Sequence, residues 1–195
     1  MKIKKISKAE LKDLPLFRYE GEVCIIDDAR DIQKAVDHCL SHKRIGIDTE
    51  TKPTFKKGQY HPVALLQLAT QDLVFLIRLN KTGLNDDLIS IFENSDVKKI
   101  GIGLRDDIKD LKKMYRFKDR GFIDLNEFAE ELGLESIGAR NFSGMFLGKR
   151  ISKSQQVSNW ENATLTSGQI SYAATDAWIC LGIYEKMLEL SNGRT

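Results

Sequence analysis

Residues 44–79 carry the sequence RIGIDTETKPTFKKGQYHPVALLQLATQDLVFLIRL. It contains three short runs of mainly apolar residues, which begin near residues 44, 63 and 72. A turn-like segment with Pro53, Gly58 and Pro62 separates the first two runs, and a tight turn around Gln71 separates the second from the third. We therefore expect three successive strands, antiparallel to one another, within one sheet.

The segments on either side of this stretch alternate between strand and helix. We expect strands at 22–26, 98–103 and 122–125, and helices at 29–41, 85–94, 106–115, 126–134 and 166–190. Asp27 or Asp28 is the expected cap of the first helix, because an Asp carboxylate accepts the free amide hydrogens of a first turn. Residues 1–21 are interpreted as an extended, lysine-rich lead-in, and residues 22–195 as a single domain. The predicted fold class is α/β with a mixed sheet.

The composition limits the class of protein. The chain has 195 residues, 42% of them hydrophobic, and its 30 Lys+Arg against 28 Asp+Glu leave a net charge of +2. This length supports one buried core, and the charge balance means that any affinity for nucleic acid must be local. Cys24, Cys39 and Cys180 lie far apart, which excludes a disulfide framework and a thiolate zinc site. With no secretion signal or apolar span evident, we expect a cytoplasmic protein that does not contact a membrane.

Two acidic residues end the first predicted strand of the 44–79 stretch. Asp48 and Glu50 follow the apolar residues Ile45 and Ile47, and residues two apart on a strand point to the same face. Such a pair is unfavourable alone, because each negative charge raises the pKa of the other, and a divalent cation is the usual remedy. A solvated strand end followed by a turn is the alternative interpretation.

A second group of acids opens the helix predicted after the strand at 98–103. Asp106, Asp107 and Asp110 lie in this group, where helix capping and the helix dipole also explain acidic residues. Gly101 and Gly103 form a G-x-G that resembles the start of a dinucleotide-binding loop. That hypothesis is weak, because Asp stands at position 106 where the dinucleotide motif requires Gly.

A third feature is the pair Tyr172 and Asp176, which are four residues apart and therefore neighbours on one helical face. Mg²⁺ and Mn²⁺ prefer oxygen ligands, and a two-metal site needs a few carboxylates contributed by different elements. The residues that would supply them are Asp48, Glu50, Asp107 and Asp176. The histidines offer no convincing metal site, because the neighbours His38 and His42 have no evident third ligand.

Together these features resemble the motifs of the DEDD superfamily of 3′-5′ exonucleases, which have a ribonuclease H-like fold. The first motif, D-x-E, matches Asp48-Thr49-Glu50, and the second, an Asp that follows a G-x-G strand, falls on Asp107 in KKIGIGLRDDIKDL. The third, Y-x-x-x-D, matches Tyr172 and Asp176 and is typical of the tyrosine subgroup. VALLQLAT and SNW at 158–160 also look like Werner-type exonuclease domains, with ribonuclease D as a more distant relative.

The resemblance implies a mixed sheet flanked by helices on both faces, and a metal-dependent enzyme that hydrolyses phosphodiester bonds from the 3′ end. It implies two divalent ions, Mg²⁺ or Mn²⁺, and release of nucleoside 5′-monophosphates. Asp48, Glu50 and Asp176 are implied to hold the first ion, with Asp48 also reaching the second. Asp107 is implied to help position the site, and Tyr172 to orient or help deprotonate the attacking water.

The implied partner is nucleic acid with a free 3′ end, and the Werner-type likeness favours DNA over RNA. Basic side chains neutralise phosphates and aromatic rings stack on bases, so loop and helix residues near the metal strand are expected to contact substrate. The residues predicted for substrate binding are Thr49, Phe55, Lys56, Lys57 and Arg105. A protein partner for targeting is a further expectation. The alternative function is a catalytically silent module with the same fold that binds nucleic acid or a protein.

Overall fold

A computed structural model describes residues 6–56, 58–134 and 138–193. In these ranges the chain forms a six-stranded mixed sheet with the strand order β1-β4-β3-β2-β5-β6. The strands are β1 (Glu22–Ile26), β2 (Arg44–Thr51), β3 (Val63–Ala69), β4 (Leu73–Ile77), β5 (Lys98–Gly101) and β6 (Phe122–Asp124). Strand β2 therefore lies inside the sheet, between β3 and β5.

Strand pairing confirms the meander predicted from residues 44–79. Strands β2, β3 and β4 pair antiparallel in chain order. The other pairs are parallel: β5 lies beside β2, β6 beside β5, and β1 beside β4. Every residue of β3 is buried, which is the pattern of a strand whose two faces are both covered.

Helices cover both faces of the sheet, as expected. They are α1 (Lys8–Asp13), α2 (Ile32–Leu40), α3 (Leu79–Thr82), α4 (Asp86–Glu93), α5 (Leu104–Met114), α6 (Leu125–Glu131), α7 (Ala139–Leu147) and α8 (Ser167–Asn192). Apolar residues of α2, α4 and α5 share one core with Ile45 and Ile47 of β2, whereas α6, α7 and α8 build the cores of the opposite layer. None of the helices in the described ranges is both long enough and apolar enough to cross a bilayer.

The structure corrects several expected boundaries. Of the expected extended lead-in, residues 1–5 lie outside the described residues, and residues 6–21 are not simply extended. Helix α1 forms there because the Ser7 hydroxyl and the Glu10 carboxylate cap each other's backbone amides. Helix α5 begins at Leu104 rather than Asp106, since Gly103 adopts a left-handed conformation (φ 77°) that ends the preceding strand early. Helices α3 and α7 were not predicted. The first has only four residues, and the second contains Gly144, which weakens helix propensity.

The N-terminal segment packs onto the layer that contains α8. Helix α1 lies against α7 so closely that a β-carbon at Gly144 would meet Leu11 Cδ2 at 2.4 Å. The Phe17 ring stacks on Trp178 at a centroid distance of 5.5 Å, and the Tyr19 amide donates a hydrogen bond of 3.0 Å to Thr175 Oγ1. Residues 6–20 therefore form part of the folded domain.

Helix α8 lies directly on β2 because both elements have small residues at their contact. Ala173 and Ala177 are fully buried there, and Thr166 caps the helix through a capping box. A β-carbon added to Gly46 would lie only 2.0 Å from the carbonyl oxygen of Ala177. Glycine at this position is what allows the helix backbone to approach the strand.

Gly46→Ala is expected to destabilise the fold by about 1–3 kcal/mol, because the added methyl group must push α8 away from β2. Gly182→Ala is the matched control on the same helix, since its nearest neighbour would be Leu147 Cδ2 at an ordinary 3.4 Å. Alanine also favours a helix interior over glycine, so this control should be neutral or slightly stabilising. Denaturant unfolding of both variants measures the difference, and equal free energies of unfolding would contradict the packing described for Gly46.

Candidate active site

Three carboxylates meet where α8 crosses β2. Asp48 and Glu50 project from the same face of β2, as their spacing predicts, and Asp176 projects towards them from α8. One carboxylate oxygen from each of the three lies within 4.8 Å of the other two. Glu50 is buried, and the other two are partly buried. The structure therefore brings together residues that are up to 128 positions apart in the sequence.

Tyr172 lies one helical turn before Asp176 and borders the same cleft. Its ring contacts the fully buried Trp160 at a centroid distance of 6.0 Å, which fixes the ring against the interior. The hydroxyl of Tyr172 is thereby held beside the acidic cluster rather than in solvent.

Asp107 reaches the site from α5 on the other side of β2. The Thr49 hydroxyl donates a short hydrogen bond to Asp107 Oδ1, which links the acid to strand β2. Asp107 is partly buried whereas Asp106 is exposed, so Asp107 is the residue of the second motif that faces inward. The oxygen group formed by Asp48, Glu50 and Asp176 does not include Asp107.

The start of α5 is held by an internal carboxylate. The amides of Gly103 and Leu104 donate hydrogen bonds of 2.9 and 2.7 Å to the two side-chain oxygens of Asp124. These amides are the groups that a dinucleotide phosphate would need, and Asp124 already occupies them. The G-x-G segment therefore orients α5, and with it Asp107. Because Asp124 occupies these amides, they are not free to bind the phosphate of a dinucleotide.

Burial and mutual repulsion shift the titration of the acids. Burial raises the pKa of Asp48 well above its usual range, and the charges of Asp176 and Asp107 raise it further. Burial, with the charges of Asp48, Asp176 and Asp107, raises the pKa of Glu50 to about 10. Burial raises the pKa of Asp107 to about 6, although the Thr49 hydrogen bond opposes the shift. Without a cation, the cluster holds protons at neutral pH.

The side chains around Asp176 counteract only part of the effect that burial has on its pKa. Burial raises the pKa of Asp176 to about 7, while the Tyr172 hydroxyl and the positive charge of Lys153 lower it. Burial and the neighbouring carboxylates raise the pKa of Tyr172 well above its usual range, so its hydroxyl keeps its proton. Asp176 Oδ1 is buried and has no hydrogen-bond partner in the described structure.

These observations show that the cluster fits a divalent cation. Burying an unpaired carboxylate oxygen and three acids with raised pKa values costs free energy in the metal-free protein. A hard cation would offset this cost, because carboxylate oxygens are the ligands it prefers. The residues that would hold the ion are Asp48, Glu50 and Asp176, with Asp107 beside them across Thr49.

A cleft of about 640 Å³ opens over the carboxylates. Its walls combine basic, polar and apolar side chains, and they include residues far from the motifs: Lys8, Leu11, Lys12, Ile102, Arg140, Asn141, Lys153 and Gln156. Lys8 and Lys12 were missed as cleft residues because the lead-in was interpreted as extended, although the Ser7-x-x-Glu10 capping pattern was a signal for a helix there.

The residues predicted for substrate binding are spread over different places. Thr49 lines the cleft, where its hydroxyl holds Asp107. Phe55 is 85% exposed and Lys56 is also exposed, but neither lines the cleft. Arg105 is exposed on α5 and lines a separate hollow with Lys109. Lys57 lies outside the described residues.

Comparison with curated proteins finds relatives along most of the chain. The mouse bifunctional 3′-5′ exonuclease and ATP-dependent helicase WRN is 30% identical over 96% of this chain and 14% of its own length. The exonuclease 3′-5′ domain-containing protein 2 of Drosophila melanogaster is 32% identical over 77% of this chain and 26% of its own length. The chain therefore spans only a minor part of these two relatives.

Solved structures share the fold. The EXO domain of Nibbler from Aedes aegypti superposes with a TM-score of 0.81 at 26% identity, covering 93% of this chain and 94% of that one. RNase D from Escherichia coli superposes with a TM-score of 0.79 at 22% identity, over 88% of this chain and 46% of that one. These neighbours confirm the expected ribonuclease H-like arrangement of a mixed sheet between helices.

A protein-family model described as 3′-5′ exonuclease matches residues 23–191. This range contains β2 to β6, all of β1 except Glu22, and the acidic residues of the cleft. The match spans most of the chain and agrees with both the relatives and the structural neighbours. The chain therefore belongs to the 3′-5′ exonuclease family.

Proposed function

We propose that this chain removes nucleotides from the 3′ end of a nucleic acid by two-metal hydrolysis, with Mg²⁺ or Mn²⁺ as the ions. The observation that carries the proposal is the convergence of Asp48, Glu50 and Asp176 within 4.8 Å at the base of a cleft with basic walls. When bound, the ions acidify the attacking water and stabilise the charge on the departing oxygen. The products are nucleoside 5′-monophosphates.

The side chains of the site divide the remaining work. Asp48, Glu50 and Asp176 hold the ions and fix the position of the scissile phosphate relative to β2. Asp107 is positioned through Thr49 and adds a carboxylate on the second side of the strand. Tyr172 keeps its proton in the metal-free site, so its hydroxyl is suited to orient the attacking water by hydrogen bonding.

The walls of the cleft suit a strand of nucleic acid. Lys8 and Lys12 from α1, together with Arg140 and Lys153, surround the carboxylates with positive charge that can neutralise phosphates. Leu11 provides apolar surface on the same wall. The N-terminal segment therefore contributes to substrate binding in this proposal, in addition to the residues predicted from the sequence.

DNA is the substrate that the Werner-type resemblance favours, and RNA is the second candidate. RNase D of Escherichia coli is described as an exoribonuclease involved in structured RNA processing, and the structure of RNase D of Trypanosoma brucei is a complex with RNA U12. Both are less than 25% identical to this chain, so they establish the fold and leave the choice of substrate to experiment.

The activity is tested by digesting matched DNA and RNA oligonucleotides that carry a label at the 5′ end. With Mg²⁺ or Mn²⁺, we expect a ladder that shortens from the 3′ end, faster on DNA, and no ladder when the 3′ end is blocked. Asp48→Asn should slow digestion by orders of magnitude, because several kcal/mol of barrier lowering are lost with a metal ligand. Asp106→Asn is the control and should retain activity.

If the oligonucleotides stay intact in Mg²⁺ and also in Mn²⁺, the proposal is contradicted. If such a protein still retained nucleic acid equally with and without divalent ions, the silent binding module would be the better description. Faster digestion of RNA would leave the exonuclease proposal in place and replace DNA by RNA as the substrate.

The raised pKa values make the stability of the metal-free protein depend on pH. The folded carboxyls keep protons that the unfolded chain loses near pH 4 to 4.5, so the free energy of unfolding should fall as the pH rises. The decline should continue through about 6 and 7, the pKa values of Asp107 and Asp176, towards about 10, the pKa of Glu50. Thermal melting in chelator measures this slope.

Bound Mn²⁺ and the loss of two carboxylates should each reduce this dependence of stability on pH. Mn²⁺ should raise the melting temperature most at neutral pH and above, because it replaces the protons. The double variant Asp48→Asn/Asp176→Asn should melt higher than the wild type in chelator at pH 8 and gain little from Mn²⁺. A metal-free stability that stays level or rises between pH 5 and 8 would contradict the buried charge repulsion.

Reversing the charges of the N-terminal wall should weaken substrate binding. Lys8→Glu/Lys12→Glu is expected to raise KM at least several-fold and reduce its salt dependence, with a smaller change in kcat, because the lysines lie in the cleft wall. Lys109→Glu/Lys118→Glu changes the net charge equally at exposed positions outside the cleft. Equal kinetics for the two double variants would show that the effect is one of overall charge.

A further inference from the structure

A second group of metal-ligating side chains lies away from the carboxylate cluster. His38 is on α2, His42 follows the end of that helix, and Asp72 is in the tight turn between β3 and β4. One ligand atom from each residue lies within 4.8 Å of the other two. The sequence offered no third ligand for the histidine pair, and the fold supplies one through a residue 30 positions further along the chain.

Hydrogen bonds orient the two imidazole rings. His42 Nδ1 lies 2.8 Å from the carbonyl oxygen of His38, so this nitrogen donates and the other ring nitrogen keeps its lone pair. A backbone carbonyl in this position is the usual partner of a metal-ligating histidine. The centroids of the two rings are 4.7 Å apart, which places both on one side of the helix end.

The turn holds the carboxylate towards His38. Thr70 Oγ1 lies 2.9 Å from Asp72 Oδ1 and 3.0 Å from His38 Nε2, while the distance from His38 Nε2 to Asp72 Oδ1 is 4.0 Å. The edge of the His38 ring also packs on Phe75 at a centroid distance of 5.4 Å. The side chains are thus held near one another, and a bound ion would replace the Thr70 hydroxyl as the partner of His38 Nε2 and Asp72 Oδ1.

We propose that His38, His42 and Asp72 bind a transition-metal ion of the Zn²⁺ type. Two imidazoles and one carboxylate are a ligand set that Zn²⁺ accepts with a water in the fourth position, whereas Mg²⁺ prefers oxygen ligands alone. The side chain of Asp72 is 74% exposed, so an ion can enter from solvent.

An ion here would connect the end of α2 to the β3–β4 turn. The turn follows Ala69, which pairs with Gly46 on β2, whereas Asp48 pairs with Gln67 further along the strands. Glu50 therefore lies near one end of the β2–β3 pairing, and the proposed site lies beyond the other end. Its role is to stabilise the fold, since an ion that binds only the folded chain shifts the unfolding equilibrium.

Zn²⁺ binding by the full-length chain tests the proposal. The background is Asp48→Asn/Asp176→Asn, which removes two ligands of the carboxylate cluster so that it does not compete. Equilibrium dialysis should find one Zn²⁺ per chain, and Zn²⁺ should raise the melting temperature by several degrees. Adding His38→Ala or His42→Ala should weaken binding at least ~10-fold and abolish the thermal shift.

Two further variants separate loss of a ligand from loss of the fold. Asp72→Asn changes an exposed turn residue, so its metal-free melting temperature should match the background while its Zn²⁺ affinity falls. His61→Gln is the histidine control, because His61 Nδ1 lies 3.5 Å from Glu161 Oε1 and is not part of the proposed site. This substitution should leave Zn²⁺ binding unchanged. Absence of Zn²⁺ binding in the background, or equal binding in all the variants, would overturn the proposal. Neither readout uses nuclease activity, so the outcome is independent of the proposed function.

Discussion

The close contact between α8 and β2 is the constraint on which the rest of the molecule depends. Gly46 lets the Ala177 carbonyl approach the strand, and the buried alanines of the helix continue that contact. Asp48 is two residues after Gly46, and Asp176 is one residue before Ala177, so the spacing that packs the layers also sets the spacing of the acids. A larger residue at the contact would change the core and the acidic cluster together.

The acidic cluster lowers the stability of the metal-free chain, although the same side chains are the ones needed for function. Burying carboxylates side by side raises their pKa values and leaves Asp176 Oδ1 without a partner, and each effect costs free energy in the metal-free chain. The surrounding fold compensates with three hydrophobic clusters among the described residues and with a strand that is buried throughout. The same repulsion makes the cluster fit a divalent cation, since a bound ion would relieve it.

The sequence predicted what depends on short-range pattern and missed what depends on the approach of distant segments. The 44–79 meander and the shared face of Asp48 and Glu50 follow from strand periodicity, and the structure confirms both. The motifs also indicated Asp48, Glu50 and Asp176, which come together, and Asp107, which lies outside that oxygen group. Nothing local showed that α1 borders the cleft, because its six residues bury only Leu11 and its position is set by Gly144, more than 130 residues later. The place of Asp72 beside His38 is likewise fixed by sheet pairing alone.

Strand β2 and its neighbours thus support two kinds of ligand set at different positions. The carboxylate cluster lies where β2 is covered by α8, is largely buried and is built from oxygen atoms, so it suits a hard ion and a charged substrate. The His38 group lies at the end of α2, is partly exposed and includes two nitrogen ligands, so it suits a softer ion. Because ligand type and exposure differ, the two positions can select different metals without competing, and each can be removed by substitution without altering the other's ligands.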